Sequence, residues 1–204
     1  MKVADIITIP VESARAAYLK KFHKKIFVLP HGFRFPNKVT IDRREEGSSI
    51  RKCFVYAGDL GTVIAQFEMF ISHLRSVKTD YSFIIYTKSK NVVQSVAPDL
   101  LLQDKIIVKD YIDRMCLIDK LGAFDFLVAF KPRFNTQVPS KLIDYSYSKK
   151  PIIYWGLDSK ASVIEEFISG DYSKSFPALD IEPYHINNVV DKLLLLTEKY
   201  RVER

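Results

Sequence analysis

Between residues 51 and 155 the chain repeats one pattern: a short, almost wholly apolar run, then a stretch with apolar residues at helical spacing. The runs include Cys53-Phe54-Val55-Tyr56-Ala57, Phe83-Ile84-Ile85 and Phe126-Leu127-Val128-Ala129-Phe130. A strand that is apolar at every position must be buried on both faces, and parallel sheets covered on both sides by helices supply that environment. The expected strands cover residues 51–57, 81–87, 105–109, 125–130 and 151–155. The expected helices cover 62–74, 92–96, 112–121, 139–148 and 161–168. The first of these places Ile64, Phe67, Phe70, Ile71 and Leu74 on one face. Right-handed crossovers then leave an open sheet as the economical arrangement, an α/β fold with a Rossmann-like doubly wound parallel sheet.

The flanks are less regular. Residues 5–9 form a short apolar strand stopped by Pro10, and residues 12–22 have the Ala, Leu and Lys content of a helix. An apolar run at 26–29 ends in Pro30-His31-Gly32, after which residues 36–49 turn polar and charged, as an exposed linker does. The chain closes on residues 186–199, with an apolar stripe of Ile186, Val190, Leu193 and Leu194.

Composition narrows the function classes. No apolar run reaches the roughly 18 residues that span a bilayer, and Asp5 interrupts any signal-peptide pattern, so a cytoplasmic protein is expected. Cys53 and Cys116 both sit in apolar-periodic segments and suit structural roles in a reducing compartment. The formal charge of +7 points to anionic partners. Its basic residues are spread out, which argues against nucleic acid and leaves phosphorylated small molecules or an anionic membrane face. The segment 15–25, with Lys20, Lys21, Lys24 and Lys25, is either an ordinary helix or a peripheral membrane contact.

Ligands of an open parallel sheet bind beyond the carboxyl ends of the strands. Four loops fall there. Gly58-Asp59-Leu60-Gly61 lies between strand and helix, where glycines and a helix N-terminus suit an anion or a plain tight turn. Asp59 would repel a phosphate, so it caps the turn or faces an acceptor hydroxyl. Lys109 ends a strand beside Tyr111, which is placed to flank a base; a solvated strand end fits equally. The third loop runs from Lys131 through Arg133, Thr136, Gln137 and Val138 to Pro139, Ser140 and Lys141. Proline in a first helical turn and the N–H groups behind it suit a diphosphate, with Lys131, Arg133 and Lys141 adding charge. Asp144, one turn further in, suits a ribose diol, and a solvated helix acid fits the same position. The fourth is Tyr154-Trp155-Gly156, where Gly156 permits close approach and Trp155 suits packing.

Several of these segments, in order, resemble the donor-binding signature of GT-B glycosyltransferases, nearest to glycosyltransferase family 4. Pro139-Ser140-Lys141-Leu142-Ile143-Asp144-Tyr145, followed by Pro151-Ile152-Ile153, is similar to that family's proline–serine–lysine–leucine–any–glutamate–tyrosine segment and its following strand. Ala4-Asp5-Ile6-Ile7, Lys25-Ile26-Phe27-Val28-Leu29-Pro30-His31-Gly32-Phe33, Phe54-Val55-Tyr56-Ala57-Gly58 and Ile107-Val108-Lys109-Asp110-Tyr111 match further segments. The resemblance covers roughly residues 4–169. It implies the C-terminal half of a GT-B fold: residues 1–36 a remnant of the acceptor domain and hinge, 37–50 a linker, and 51–204 a nucleotide-sugar-binding domain.

The resemblance further implies a hexosyltransferase, with retention of anomeric configuration, a nucleotide-diphosphate sugar as donor and a glycan or lipid-linked acceptor. That acceptor is expected to bind through a missing N-terminal domain or a partner, in polysaccharide assembly, peripherally at the inner face of the membrane. No cofactor and no metal are expected, because helix dipole and basic residues hold the leaving diphosphate. Asp144 matches the ribose-binding acid, as Asp for the usual Glu. Thr136 stands where the family has a second acid, and no Arg or Lys follows Gly58 before Arg75 and Lys78. A degenerate scaffold subunit and an enzyme like the nucleotide-sugar 2-epimerases therefore remain open beside the transferase.

Overall fold

The computed structural model describes residues 4–36, 51–132 and 139–202. The expected linker 37–50 and the site residues Arg133, Thr136, Gln137 and Val138 lie outside the described residues. The chain divides into two compact units. One draws on Met1–Phe35, Phe134–Ile143 and Leu179–Arg204, the other on Pro36–Arg133 and Asp144–Ala178.

The second unit is built on five parallel strands: β3 (Lys52–Ala57), β4 (Tyr81–Tyr86), β5 (Ile106–Lys109), β6 (Phe126–Phe130) and β7 (Ile152–Trp155). Their order across the sheet is β5-β4-β3-β6-β7. The chain steps outward from β3 to β5, then crosses back to β6 and continues outward on the other side. With right-handed crossovers, this reversal puts the helices of the two halves on opposite faces. The result is the expected doubly wound α/β sheet.

Alternate strand residues form one core. Phe54 stacks on Phe83 and Phe126, with ring centroids at 4.8 and 4.5 Å. Helix α1 (Ile64–Ser76) buries Phe67, Phe70, Ile71 and Leu74 against this face, the i, i+3, i+4, i+7 set that makes the segment helical. Helix α6 (Ser162–Ser169) adds Ile164, Phe167 and Ile168. Burying each of these aromatic side chains contributes about 1.5–3 kcal/mol, and each ring pair about 0.5–1.5 kcal/mol more. Trp155 is wholly buried, edge-on to Phe70 at 5.2 Å, and acts in packing. The intervening residues Val55, Leu127, Ala129 and Ile152 point to the other face and are buried too.

Four local expectations need correction. Ile64 belongs to the apolar pattern of α1, yet as the first helical residue it is 40% exposed. Cys53 is buried, whereas Cys116 lies on the outward face of α4 (Arg114–Leu121), whose inward residues are Ile118 and Leu121. Asp125 is not in a strand; its carboxylate accepts the N–H of Cys53 at 2.7 Å, at the start of β3. Between α2 (Lys90–Val96) and β5 an unexpected helix, α3 (Pro98–Leu102), starts on a proline at its first position.

The first unit contains two parallel three-residue strands, β1 (Ile7–Ile9) and β2 (Ile26–Val28), in register from Ile7 opposite Ile26 to Ile9 opposite Val28. The expected helix over 12–22 is instead two 3-10 segments, Glu12–Ala17 and Lys20–Lys25, separated by extended backbone at Tyr18 and Leu19. The cause is tertiary. The Arg15 guanidinium donates to the carbonyls of His23 and Ile26 at 3.0 and 3.1 Å and also pairs with Glu12, tying the segment down in a form that a continuous α-helix cannot take. Helix α7 (Ile186–Val202) carries the expected apolar stripe in part outward: Val190, Leu193 and Leu194 are exposed, and Val189 is buried. No helix among the described residues is long and apolar enough to cross a membrane.

Candidate functional site

Strands β3 and β6 pair only at Phe54 with Phe126 and Val55 with Leu127, then part toward their carboxyl ends. This is where the strand order reverses, and a crevice opens at such a point. The groups around it within the second unit come from the segments after β3, β5 and β6 and from helix α5 (Ser140–Tyr147) from Asp144 onward.

After β3, Gly58 takes φ 145°, a backbone region open to glycine and strained for other residues. Its N–H donates to the Tyr86 carbonyl of β4 at 2.9 Å. The phenol of Tyr56 donates to the Asp59 carbonyl at 2.7 Å, which closes the turn. The carboxylate of Asp59 accepts a short bond from the Ser89 hydroxyl, at the head of α2. Asp59 therefore joins two strand-end loops to each other. Leu60 is wholly buried in the core, so its side chain serves the fold, and Gly61 lies 3.3 Å from the Asp59 carboxylate, measured from where a Cβ would sit.

The basic residues at these strand ends have defined neighbours. Lys109, exposed at the end of β5, holds its ammonium 5.9 Å from the ring centre of Tyr86. Lys88 sits 4.9 Å from the ring centre of Tyr111, and Lys90 pairs with Asp110 at 2.6 Å. Lys131, just past β6, pairs with Asp158 at 3.2 Å. Gly156 makes room for it: a Cβ there would stand 2.6 Å from Lys131 Cδ and 2.5 Å from the Asp158 carboxylate. The carbonyl of Lys131 accepts the side-chain amide of Gln66 at 2.9 Å, so α1 anchors the end of β6.

Helix α5 carries the remaining predicted residues. Pro139 precedes it and accepts the N–H of Leu142 at 2.9 Å; Ser140 is exposed and Lys141 half-buried. These three group with the first unit, whereas Asp144 and Tyr145 group with the second. Asp144 is 7% exposed. Burial pushes its carboxyl above the usual carboxylate range, and the guanidinium of Arg114 opposes that rise. Arg114 Nε donates to both carboxylate oxygens at 3.0 and 3.1 Å, and Nη2 donates to Oδ1 at 2.5 Å. The hydroxyl of Tyr145, fully buried, accepts the N–H of Ala57 at 3.1 Å.

Two residues of this arrangement escape the sequence pattern. Arg114 is the first residue of α4, behind Asp113, whose carboxylate caps the helix by accepting the Met115 N–H at 2.7 Å. Ser89 follows β4 with no motif around it. The only signal for Arg114 is a cation in a first helical turn, where the dipole disfavours it. Among the described residues no group of three or more His, Cys, Asp or Glu forms a set that could hold a metal ion.

No protein-family model matches the sequence, and no curated protein matches it. Solved structures do. A point mutant of S. aureus TarM in complex with fondaparinux, α-GlcNAc-glycerol and UDP is similar at a TM-score of 0.66 and 16% identity, over 96% of this chain and 44% of TarM. A glycosyltransferase from Rickettsia africae ESF-5 is similar at 0.63 and 13% identity, over 96% of this chain and 63% of its own. The chain has the Rossmann-like half of the GT-B glycosyltransferase fold. The pneumococcal O-GlcNAc transferase GtfA, in complex with UDP and GlcNAc, shares this GT-B half at 0.62 and 13% identity, over 96% of this chain and 45% of GtfA. At such identities the likeness is one of fold. The chain spans 44% to 63% of the length of these GT-B proteins.

Proposed function

We propose that this chain is the donor half of a glycosyltransferase and binds a nucleotide-diphosphate sugar at the crevice between β3 and β6. The observation that carries the reading is Asp144: a buried carboxylate, in the helix that follows β6, paired with Arg114 at the start of the helix that follows β5. The likeness to TarM and GtfA, both solved with UDP, supports a uridine nucleotide as the first ligand to try. In this reading Asp144 accepts a hydrogen bond from the ribose. The Gly58 turn lets the backbone approach the diphosphate, and Lys109 and Lys131 neutralise its charge. The finer parts of the proposal follow the resemblance: hexosyl transfer with retention, no metal, and a glycan or lipid-linked acceptor bound by an N-terminal domain or partner. The setting is the cytoplasmic face of the membrane.

Calorimetric titration with UDP, GDP and their sugar conjugates tests it. Saturable binding of one nucleotide, lost in Asp144→Ala, is the expected result. A second reading, a scaffold subunit that has lost its donor, draws on Arg114 covering the Asp144 carboxylate and Ser89 holding Asp59. Absence of binding to every nucleotide would favour it.

A further inference from the structure

Asp144 does not meet a ligand alone. Its two oxygens take three contacts from one guanidinium, and these crowd on Oδ1, which accepts from both Nε and Nη2. Oδ2 accepts only from Nε, at 3.1 Å, among the described residues. Each carboxylate oxygen has two lone pairs, so Oδ2 keeps capacity that Oδ1 has largely spent. The pair is asymmetric in exposure as well, with the Arg114 side chain 28% and the Asp144 side chain 10% exposed. A carboxylate so buried and without a cation takes up a proton, and a neutral acid is a poor acceptor for a hydroxyl.

Arg114 is also placed against its own helix. It opens α4, where the dipole disfavours a cation, and the Asp113 cap and the Asp144 pair offset that cost. Such a local conflict is tolerated where a geometry is needed, and here the geometry is a carboxylate fixed in plane by a planar, two-pronged donor.

We infer that Arg114 is the positioning residue of the donor site: it turns the Asp144 carboxylate so that Oδ2 faces the ligand and reads a single hydroxyl of the ribose. This rests on the donor-half reading above. It also explains how Asp serves in place of a longer Glu: the guanidinium holds the short side chain in one orientation and leaves Oδ2 with capacity to accept.

The test is titration of the wild-type chain, Arg114→Met and Arg114→Lys with UDP and with its 2′-deoxy and 3′-deoxy forms, the more weakly bound of the two being the analogue compared with UDP. The wild type is expected to favour UDP by about tenfold or more, the range of a hydrogen bond to a charged group. In Arg114→Met that preference collapses, with the loss falling on UDP, and Arg114→Lys restores part of it. A merely structural role would weaken both nucleotides by the same factor and leave the preference intact, which overturns the inference. So does a wild type that binds both equally, or an Arg114→Met variant that discriminates as well as the wild type. If Arg114→Met does not fold, the Lys variant decides: an intermediate preference supports the inference, an unchanged one overturns it. A wild type that binds neither UDP nor GDP overturns the donor-half reading itself, a result distinct from the others.

Discussion

The hydroxyl of Tyr145 accepts the backbone N–H of Ala57 at 3.1 Å, just where β3 stops pairing with β6. The next residue, Gly58, donates to β4, and successive residues of a parallel strand address opposite neighbours. The Ala57 N–H therefore faces the side that β6 has left. Tyr145 fills the missing strand's role, and the crevice opens without an orphaned donor.

Tyr145→Phe keeps the ring and removes that acceptor. An unpaired buried N–H costs about 1–3 kcal/mol, so the variant is expected to lose that much in urea denaturation, with an unchanged slope. A loss near zero would mean that Ala57 finds another partner.

The Arg114–Asp144 pair should show as a coupling. Arg114→Met and Asp144→Asn each leave a partner without its counter-charge, whereas the double variant leaves neither. A double-mutant cycle is expected to give about 1–2 kcal/mol, below the value of a fully buried pair because Arg114 is 28% exposed. Additive single effects would show that the pair carries no stability.

Burial pushes the Tyr81 phenol up to about 12 from its ordinary 10.0. Between those values the folded chain keeps a proton that the unfolded chain releases, so stability falls as pH rises through that window. Tyr81→Phe removes this dependence. Its melting temperature should fall less than that of the wild type between pH 10 and 12. The variant's cost at neutral pH is modest, since the Leu74 carbonyl that Tyr81 donates to also accepts the Val77 N–H.

Gly32 has no room for a side chain. A Cβ there would stand 2.4 Å from Ile186 Cδ1 and 3.3 Å from Ile186 Cα. Gly32→Ala is expected to destabilise the first unit by about 1–3 kcal/mol through overpacking, measured by hydrogen exchange at Phe33 and Ile186. Ile186→Val, which removes Cδ1, should rescue part of that loss.

The sheet was legible because its strands are apolar at nearly every position, a pattern that local sequence carries whole. Helix α1 was legible through Phe67, Phe70, Ile71 and Leu74. The segment 12–22 misled because its Ala, Leu and Lys content favours a helix, while Arg15 ties it to carbonyls eight and eleven residues on. Long-range bonds of that kind override propensity. The site divides in the same way. Asp144 stands out through the residues next to it, but its partner lies 30 positions away on another helix, and nothing local in the sequence joins the two. Leu60 shows the converse: its place between two glycines suggests a ligand loop, and its side chain belongs to the core.

Phe33 forms an isolated parallel bridge with His185, donating to the Tyr184 carbonyl and accepting from Ile186. Every residue of the second unit lies between these partners in the sequence. On a ribosome, then, the two units are not made in turn. The strands β1 and β2 emerge before the five-stranded sheet is synthesised. The first unit can finish only after Ile186 has left the exit tunnel, so a nascent chain arrested between the emergence of Ala178 and that of Ile186 holds a completed second unit and an unfinished first one.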